Sequence, residues 1–426
     1  MHADPIQYRV DGEVGRFEFT THWIEDLETC VYNTAQQVFP PRIGKEWYKT
    51  SGYKELAMLL GATAESYRKT GQYINRFRYQ QTGGTPVRTL CEQTTREGEK
   101  LSQALDHKAQ EILSTHHFSA DGQYFGPPDL AHGPPSGLCA QAQVDEAIAT
   151  CQAQCPVARP LFENPIPYED PVTTVDMCID DVGAKRQKAT RPGQKTQESS
   201  PAQKPSRKYV HTTVVQIGHA QQRYTLAGQG LARVLRLVMA FLLHNRLVGY
   251  RFQFFTDGYP ILQDAIVRCF SWYDNLVMIL DWYHLKEKCK LQLSLAMTGR
   301  TVRNETLKRL LPVLWHGLVD EAIAVLKTLN PEEVKTAEAV DRLVTYIERN
   351  RPHIPCYAVR KHLGLRNSSQ LGEKMNDLIV SERQKHNGMS WSGSGSNALA
   401  VLTALGRNNE QACWFEEGNI PFKLAA

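Results

Sequence analysis

Residues 172–185 read VTTVDMCIDDVGAK. Apolar and polar side chains alternate along this stretch and β-branched residues are frequent, which predicts a half-buried strand. The period of two places Asp176 and Asp180 on one face and Asp181 on the other. Residues 186–208, RQKATRPGQKTQESSPAQKPSRK, lack an apolar run and are strongly basic, so a solvated loop follows. Two more strands are expected at YVHTTVVQI (209–217) and QRYTLAG (222–228), joined by a short turn. GQGLARVLRLVMAFLLHNRL then changes to helical spacing, with Leu231, Val234, Leu235, Val238, Phe241 and Leu242 on one face. RFQFF (251–255) and NLVMIL (275–280) are continuous apolar runs of buried-strand length. The segments after them, YPILQDAIVRCF and YHLKEKCKLQLSLAM, read as helices.

The order is three strands in a meander, then helix, strand, helix, strand, helix. A meander followed by right-handed βαβ units is the strand order of an RNase H-like α/β domain. Residues 291–365 read as helical throughout and are expected to form an all-helical insertion. The chain then resumes at SSQLGEKMNDLIVSERQKHNG, a helix with Ser368 or Ser369 as N-cap and Gly388 as its stop. The expected organisation is a helical region over 1–118, a linker over 119–170 rich in Pro, Gly and Ala, the first part of the core over 171–290, the insertion over 291–365, and the C-terminal helical part of the core over 366–426.

Three carboxylates fall at informative places. Asp180 lies on the first strand of the core, Asp257 just past the fourth, and Glu373 in the first turn of the late helix. In an RNase H-like sheet the first and fourth strands are neighbours, so their aspartates meet at one edge and a following helix can bring a glutamate to them. Breaking or joining a phosphodiester requires neutralising its oxygens and activating water or a 3′-hydroxyl. Two divalent ions about 4 Å apart do both. Mg²⁺ or Mn²⁺ suits an all-oxygen donor set. A single Asp after a strand is ordinarily a turn residue or a helix cap; it is the triplet in this context that points to chemistry. Asp176 and Asp181 remain alternatives to Asp180 as the first ligand.

Four stretches resemble the bacterial insertion-sequence DDE transposases of the ISKra and ISLre type, distant relatives of the Mutator-like transposases. They are IDDVGAKRQ at Asp180, FFTDGYPILQDA at Asp257, ILDWYHLKEK at Asp281 and His284, and LGEKMNDLIVSERQKHNGMSWSGSGSNALAVLTAL at Glu373, Asn376 and Arg383. The likeness spans roughly residues 170–425. It implies an enzyme that cuts and rejoins DNA, with Asp180, Asp257 and Glu373 holding Mg²⁺ or Mn²⁺. It also implies that Asp281, His284, Asn376 and Arg383 lie near the active site. The partners implied are the element's terminal repeats and target DNA, bound by a homo-oligomer. Asp281 and His284 have two readings: orientation of the DNA strand, or a local helix cap. Two departures stand out, the long basic loop and the Ser-Gly-rich run at 392–396.

Residues 53–101 carry helix-turn-helix punctuation: YKELAMLLG, SYRKTGQYINRF, a turn at Gln81–Gly84, then Thr85 as N-cap and Pro86 at the first helical position. The third helix offers Arg88, Gln93 and Arg96 for base contacts in a major groove. A plain helical bundle is the competing reading. In the basic loop, Lys185, Arg186 and Lys188 are candidates for phosphate contact.

The bulk numbers permit this function without demanding it. The chain has 426 residues, 42% hydrophobic and 22% charged, with a net charge of +4. The longest apolar run, Val238–Leu243, is far too short to cross a bilayer, so a cytoplasmic, nucleoid-associated protein without membrane contact is expected. Ten cysteines are scattered along the chain. Most read as small buried apolar residues, while Cys139, Cys151 and Cys155 are weak zinc candidates, because Cys-x-x-x-Cys is not the usual tight spacing. Other readings are a silent transposase-derived DNA-binding protein and a structure-specific nuclease on the same fold.

Overall fold

The structure, a computed structural model, describes residues 6–21, 24–26, 30–32, 48–78, 85–119, 122–127, 137–157, 168, 170–188, 208–386 and 388–424. The chain begins with a hairpin, β1 (Ile6–Gly12) and β2 (Gly15–Thr21), in antiparallel register from Ile6–Thr21 to Gly12–Gly15. A small antiparallel ladder follows, β3 (Ile24–Asp26) with β4 (Cys30–Tyr32), and β5 (Tyr48–Lys49) adds to β1 in parallel. This corrects the expectation of an all-helical region over 1–118. The physical signal is present: IQYRVDG and GRFEFTT alternate with period two, and Tyr8 and Val10 are buried.

Helices α1 (Ser51–Thr63), α2 (Tyr67–Phe77) and α3 (Val87–Thr115) come next. Thr50 and Ser66 cap the first two, accepting from the N–H of Tyr53 and Lys69. Thr85 stands two residues before α3. It is buried and its hydroxyl pairs with that of Tyr53 at 2.8 Å. α3 is 29 residues long, more than a recognition helix alone requires. The expected turn at Gln81–Gly84 lies outside the described residues. α4 (Gln141–Gln154) falls within the stretch expected to be a linker around one short helix.

The core strands match the sequence reading closely. β6 (Thr174–Lys185), β7 (Tyr209–His219), β8 (Gln222–Gly228), β9 (Arg251–Thr256) and β10 (Leu276–Leu280) form one mixed five-stranded sheet in the order β10-β9-β6-β7-β8. β6, β9 and β10 run parallel, and β7 and β8 pair antiparallel. The first and fourth core strands are therefore neighbours, as an RNase H-like order requires. α5 (Leu231–His244) follows β8, α6 (Pro260–Cys269) lies between β9 and β10, and α7 (Trp282–Ala296) follows β10. α5 buries nine residues, including Leu237 and Met239 outside the expected stripe. A helix this apolar all round belongs inside the fold.

The insertion is helical: α8 (Arg300–Trp315), α9 (Val319–Lys327), α10 (Ala337–Arg349) and α11 (Tyr357–His362). Its apolar faces share one cluster with the sheet, running from Cys178, Phe255 and Ile279 through Leu285 and Leu293 to Leu314, Leu343 and Ile347. α12 (Gln370–Asn376) passes into a π turn at Asp377–Ser381 and a last helical turn at Glu382–Gln384, and α13 (Gly393–Arg407) follows. Ser392 caps α13 by accepting from the N–H of Gly395.

By compactness the chain divides into two interleaved units. The first comprises Met1–Ala104, Ala184–Val210 and Val380–Pro421, and the second Leu105–Gly183, His211–Ile379 and Phe422–Ala426. In the first, α1 packs on α2 and α13, and Arg78 pairs with the buried Asp11. The second contains the core of the sheet and the helical insertion.

Candidate active site

The sheet register sets the site. β6 and β9 are paired from Thr174–Arg251 to Cys178–Phe255. Two residues further along each strand stand Asp180 and Asp257. β9 and β10 are paired through Thr256–Leu280, and one residue further stands Asp281 beside Asp257. Three aspartates therefore follow one another across three adjacent parallel strands at matching positions. Such strands run about 4.8 Å apart, which brings acidic groups from distant parts of the chain to one edge.

The three have different fates. Asp180 is partly buried in a cleft lined by His284, Asn376, Gln216, Ser369 and Gly372. One of its carboxyl oxygens accepts from the N–H of Asp181 at 2.7 Å, and the other accepts from Asn376 Nδ2 at 2.8 Å. Burial pushes the Asp180 carboxyl above the ordinary carboxylate range; the Asp181 N–H and His284 pull it down, and the negative charge of Asp257 pushes it further up. Asp180, Asp257 and His284 thus share one electrostatic neighbourhood. Asp257 accepts from the N–H of Tyr259 at 2.8 Å, in the turn that follows β9.

Asp281 is fully buried. It caps α7, accepting from the N–H of Tyr283 at 2.6 Å and of His284 at 3.1 Å, and its other oxygen accepts from the N–H of Ser369. Of the two readings given for Asp281, the cap describes its contacts. His284 contributes its backbone to that cap, while its ring lines the cleft beside Asp180.

The alternatives to Asp180 are engaged elsewhere. Asp176 pairs with Arg366 at 3.2 Å and is pushed up by burial, against the pull of Arg366 and Arg360. Asp181 lies on the other face and accepts from Thr213 Oγ1 at 2.5 Å.

Glu373 sits in the first turn of α12, three residues before Asn376. Its side chain lies outside the described residues. Asn376 is buried and reaches Asp180, so α12 runs alongside the first aspartate. The approach is close because of Gly372, which sequence reasoning passed over. A Cβ built there would stand 2.6 Å from Cys178 Cβ, so no side chain fits without moving helix or strand. Among the described residues, no group of three or more His, Cys, Asp or Glu is arranged to hold a metal ion.

Arg383 has a different setting. It belongs to the first unit and is 3% exposed. It donates to the carbonyls of Gly61 at 3.0 Å and Glu65 at 3.2 Å, and its guanidinium lies over the rings of Tyr67 and Trp391 at 5.0 and 5.2 Å. Its role there is to tie α1, α2 and the segment before α13 together.

The expected DNA-contacting residues are at the surface or close to it. Arg88 is 90% exposed and pairs with Glu92 one turn on, at 2.7 Å. Arg96 is exposed and Gln93 half-buried. Lys185, Arg186 and Lys188 are exposed, at the end of β6 where Lys185 and Gln187 exchange backbone hydrogen bonds with Trp391 at 2.8 and 2.9 Å. Residues 189–207 of the basic loop lie outside the described residues. Cys151 is buried in an apolar cluster with Cys356, Ala358 and Val359, against which Cys155 packs. That setting suits small apolar side chains. Among the described residues no helix is long and apolar enough to cross a membrane.

No family model matches the chain, and no curated protein matches it. Among solved structures it is similar to the Drosophila P element transposase strand transfer complex, at 10% identity and a TM-score of 0.26, over 88% of this chain and 83% of that one.

Proposed function

We propose that the protein is a DDE-type transposase of the insertion-sequence kind, a Mg²⁺- or Mn²⁺-dependent enzyme that cuts DNA at element ends and joins the freed 3′-hydroxyl to target DNA. The observation that carries this reading is the register of the parallel strands β6 and β9, whose ladder ends at Cys178–Phe255, two residues short of Asp180 on one strand and of Asp257 on the other. Asp180 lies in the cleft and the negative charge of Asp257 acts on it; two such carboxylates repel each other, and a divalent cation relieves that repulsion. The donors are oxygens, the kind that Mg²⁺ and Mn²⁺ prefer. Asp180, Asp257 and Glu373 would hold the ions. When bound, they supply neutralisation of the phosphate oxygens and activation of water or a 3′-hydroxyl.

The chain's own residues do the positioning. Asn376 and the Asp181 N–H fix both oxygens of Asp180, so the carboxylate presents one orientation. Asp281, by capping α7, keeps His284 at the cleft edge. In this reading α3, through Arg88, Gln93 and Arg96, reads DNA, and Lys185, Arg186 and Lys188 contact phosphates. The enzyme acts as a homo-oligomer on paired ends in the cytoplasm, at the nucleoid.

Glu373→Gln tests the third member. It keeps the side chain's shape and removes its charge. In a gel shift and a nicking assay on one preparation, DNA binding stays at the wild-type level and nicking falls below detection. Nicking at the wild-type rate would remove Glu373 from the metal site. Strand joining by the wild-type protein, as well as cutting, separates this reading from a nuclease.

A further inference from the structure

The β9–β10 ladder ends where the Asp281 N–H donates to the Thr256 carbonyl at 2.9 Å. Asp257 and Gly258 lie just beyond it, and the helical insertion takes over there. Tyr346 of α10 donates its hydroxyl to the Asp257 carbonyl at 2.8 Å, and Arg349, one turn on, donates to the Gly258 carbonyl at 2.8 Å. Asn350 is fully buried beneath them. It accepts from Gln263 Nε2 and donates to the Tyr346 carbonyl, both at 2.9 Å. Gly258 has a φ of +80°, and a Cβ there would meet the Asn350 side chain and Leu280 at 2.9 Å. Glycine thus admits both the turn and the close approach.

We propose that Tyr346 and Arg349 are positioning residues that aim the Asp257 carboxylate. The inference rests on the reading of Asp257 as a metal ligand. Two consecutive carbonyls held from one helix leave the Asp257 backbone little rotation. The side chain, already bonded to the Tyr259 N–H, then has a single direction. Lys288 and Arg349 lie over the Tyr346 ring at 5.4 and 5.8 Å, which keeps the phenol in place. A role thereby falls to the insertion: it carries the partners that the sheet lacks at this strand end. Ligand-orienting partners of this kind, once removed, typically weaken metal binding about 10- to 100-fold.

The test is Mn²⁺ titration by calorimetry on the full chain, with melting temperature measured on the same samples. Tyr346→Phe removes one O–H and keeps the ring. Tyr273→Phe is the comparison, since it loses a part-buried tyrosine-to-carbonyl hydrogen bond of the same kind, 2.6 Å to the Tyr250 carbonyl, at the opposite end of β9 from Asp257. The expected result is that Tyr346→Phe weakens Mn²⁺ binding at least about tenfold, while Tyr273→Phe lowers the melting temperature and binds Mn²⁺ as wild type does. If wild type binds Mn²⁺ and Tyr346→Phe binds it equally, the positioning role is wrong and the metal site stands. If both variants weaken binding alike, the effect is general loosening and the role is again wrong. If wild type takes up no Mn²⁺, the metal site itself is wrong and the inference falls with it.

Discussion

Four aspartates, at 176, 180, 181 and 281, show how a carboxylate's surroundings decide what it can do. Asp176 faces arginines, Asp281 caps α7 with one oxygen and accepts from the Ser369 N–H with the other, and Asp181 takes a threonine hydroxyl. Asp180 faces the cleft. Sequence alternation could say that Asp176 and Asp180 share a face. It could not say that Arg366, nearly two hundred residues on, reaches only the first. The cost of keeping Asp180 in its cleft yields a prediction. Burial raises its pKa, so the folded protein disfavours the ionised form relative to the unfolded chain. That penalty is absent where the group is protonated in both states. It grows as pH rises through the ordinary carboxylate range and is complete above the raised value. Asp180→Asn is therefore expected to melt higher than wild type at pH 7.5 in chelator, and the gain is expected to vanish near pH 3. Melting curves at the two pH values check this. A variant that melts lower at pH 7.5 would show that the carboxylate stabilises the fold.

At the scale of elements, the contact between α12 and β6 depends on one missing side chain. Gly372 over Cys178 lets Asn376 reach Asp180. Gly372→Ala is expected to push the helix off the strand and reduce nicking at least about tenfold, as loss of a ligand-supporting contact does. Cys178→Gly added to it removes the obstructing Cβ and is expected to restore much of the rate. Nicking rates of the single and double variants decide it, and an unaltered single variant would mean the approach is not needed. Sequence reading found α12 through its serine cap and glycine stop, and through the resemblance that carries Glu373 and Asn376. The glycine gave no local signal, because its need arises from a strand almost two hundred residues earlier. The hairpin β1–β2 is the opposite case: its period-two pattern is local and legible, but it lies in a stretch read as helical. For Arg383, the resemblance implied a place near the active site; its guanidinium is buried against the rings of Tyr67 and Trp391.

At the scale of the molecule, the strand order was legible because it depends on local features: a period-two pattern, two apolar runs and the helices between them. The observed order β10-β9-β6-β7-β8 is then one of the few that topological rules allow. The interleaving of the two units was not legible, since it depends on contacts between segments far apart in the chain. The same holds for the grip of Tyr346 on Asp257, across 89 residues. The central claim is that Asp180 and Asp257, set side by side by the sheet, form a metal-dependent DNA-cutting site. It is tested most directly by incubating supercoiled plasmid carrying this gene and its flanking DNA with wild type, Asp180→Asn and Asp257→Asn, in Mg²⁺, in Mn²⁺ and in chelator. The account predicts open circles from wild type with either metal, none in chelator, and none from either variant although both bind the plasmid. Open circles from the variants at the wild-type rate, or a wild-type protein that binds the plasmid and leaves it intact in both metals, would contradict it.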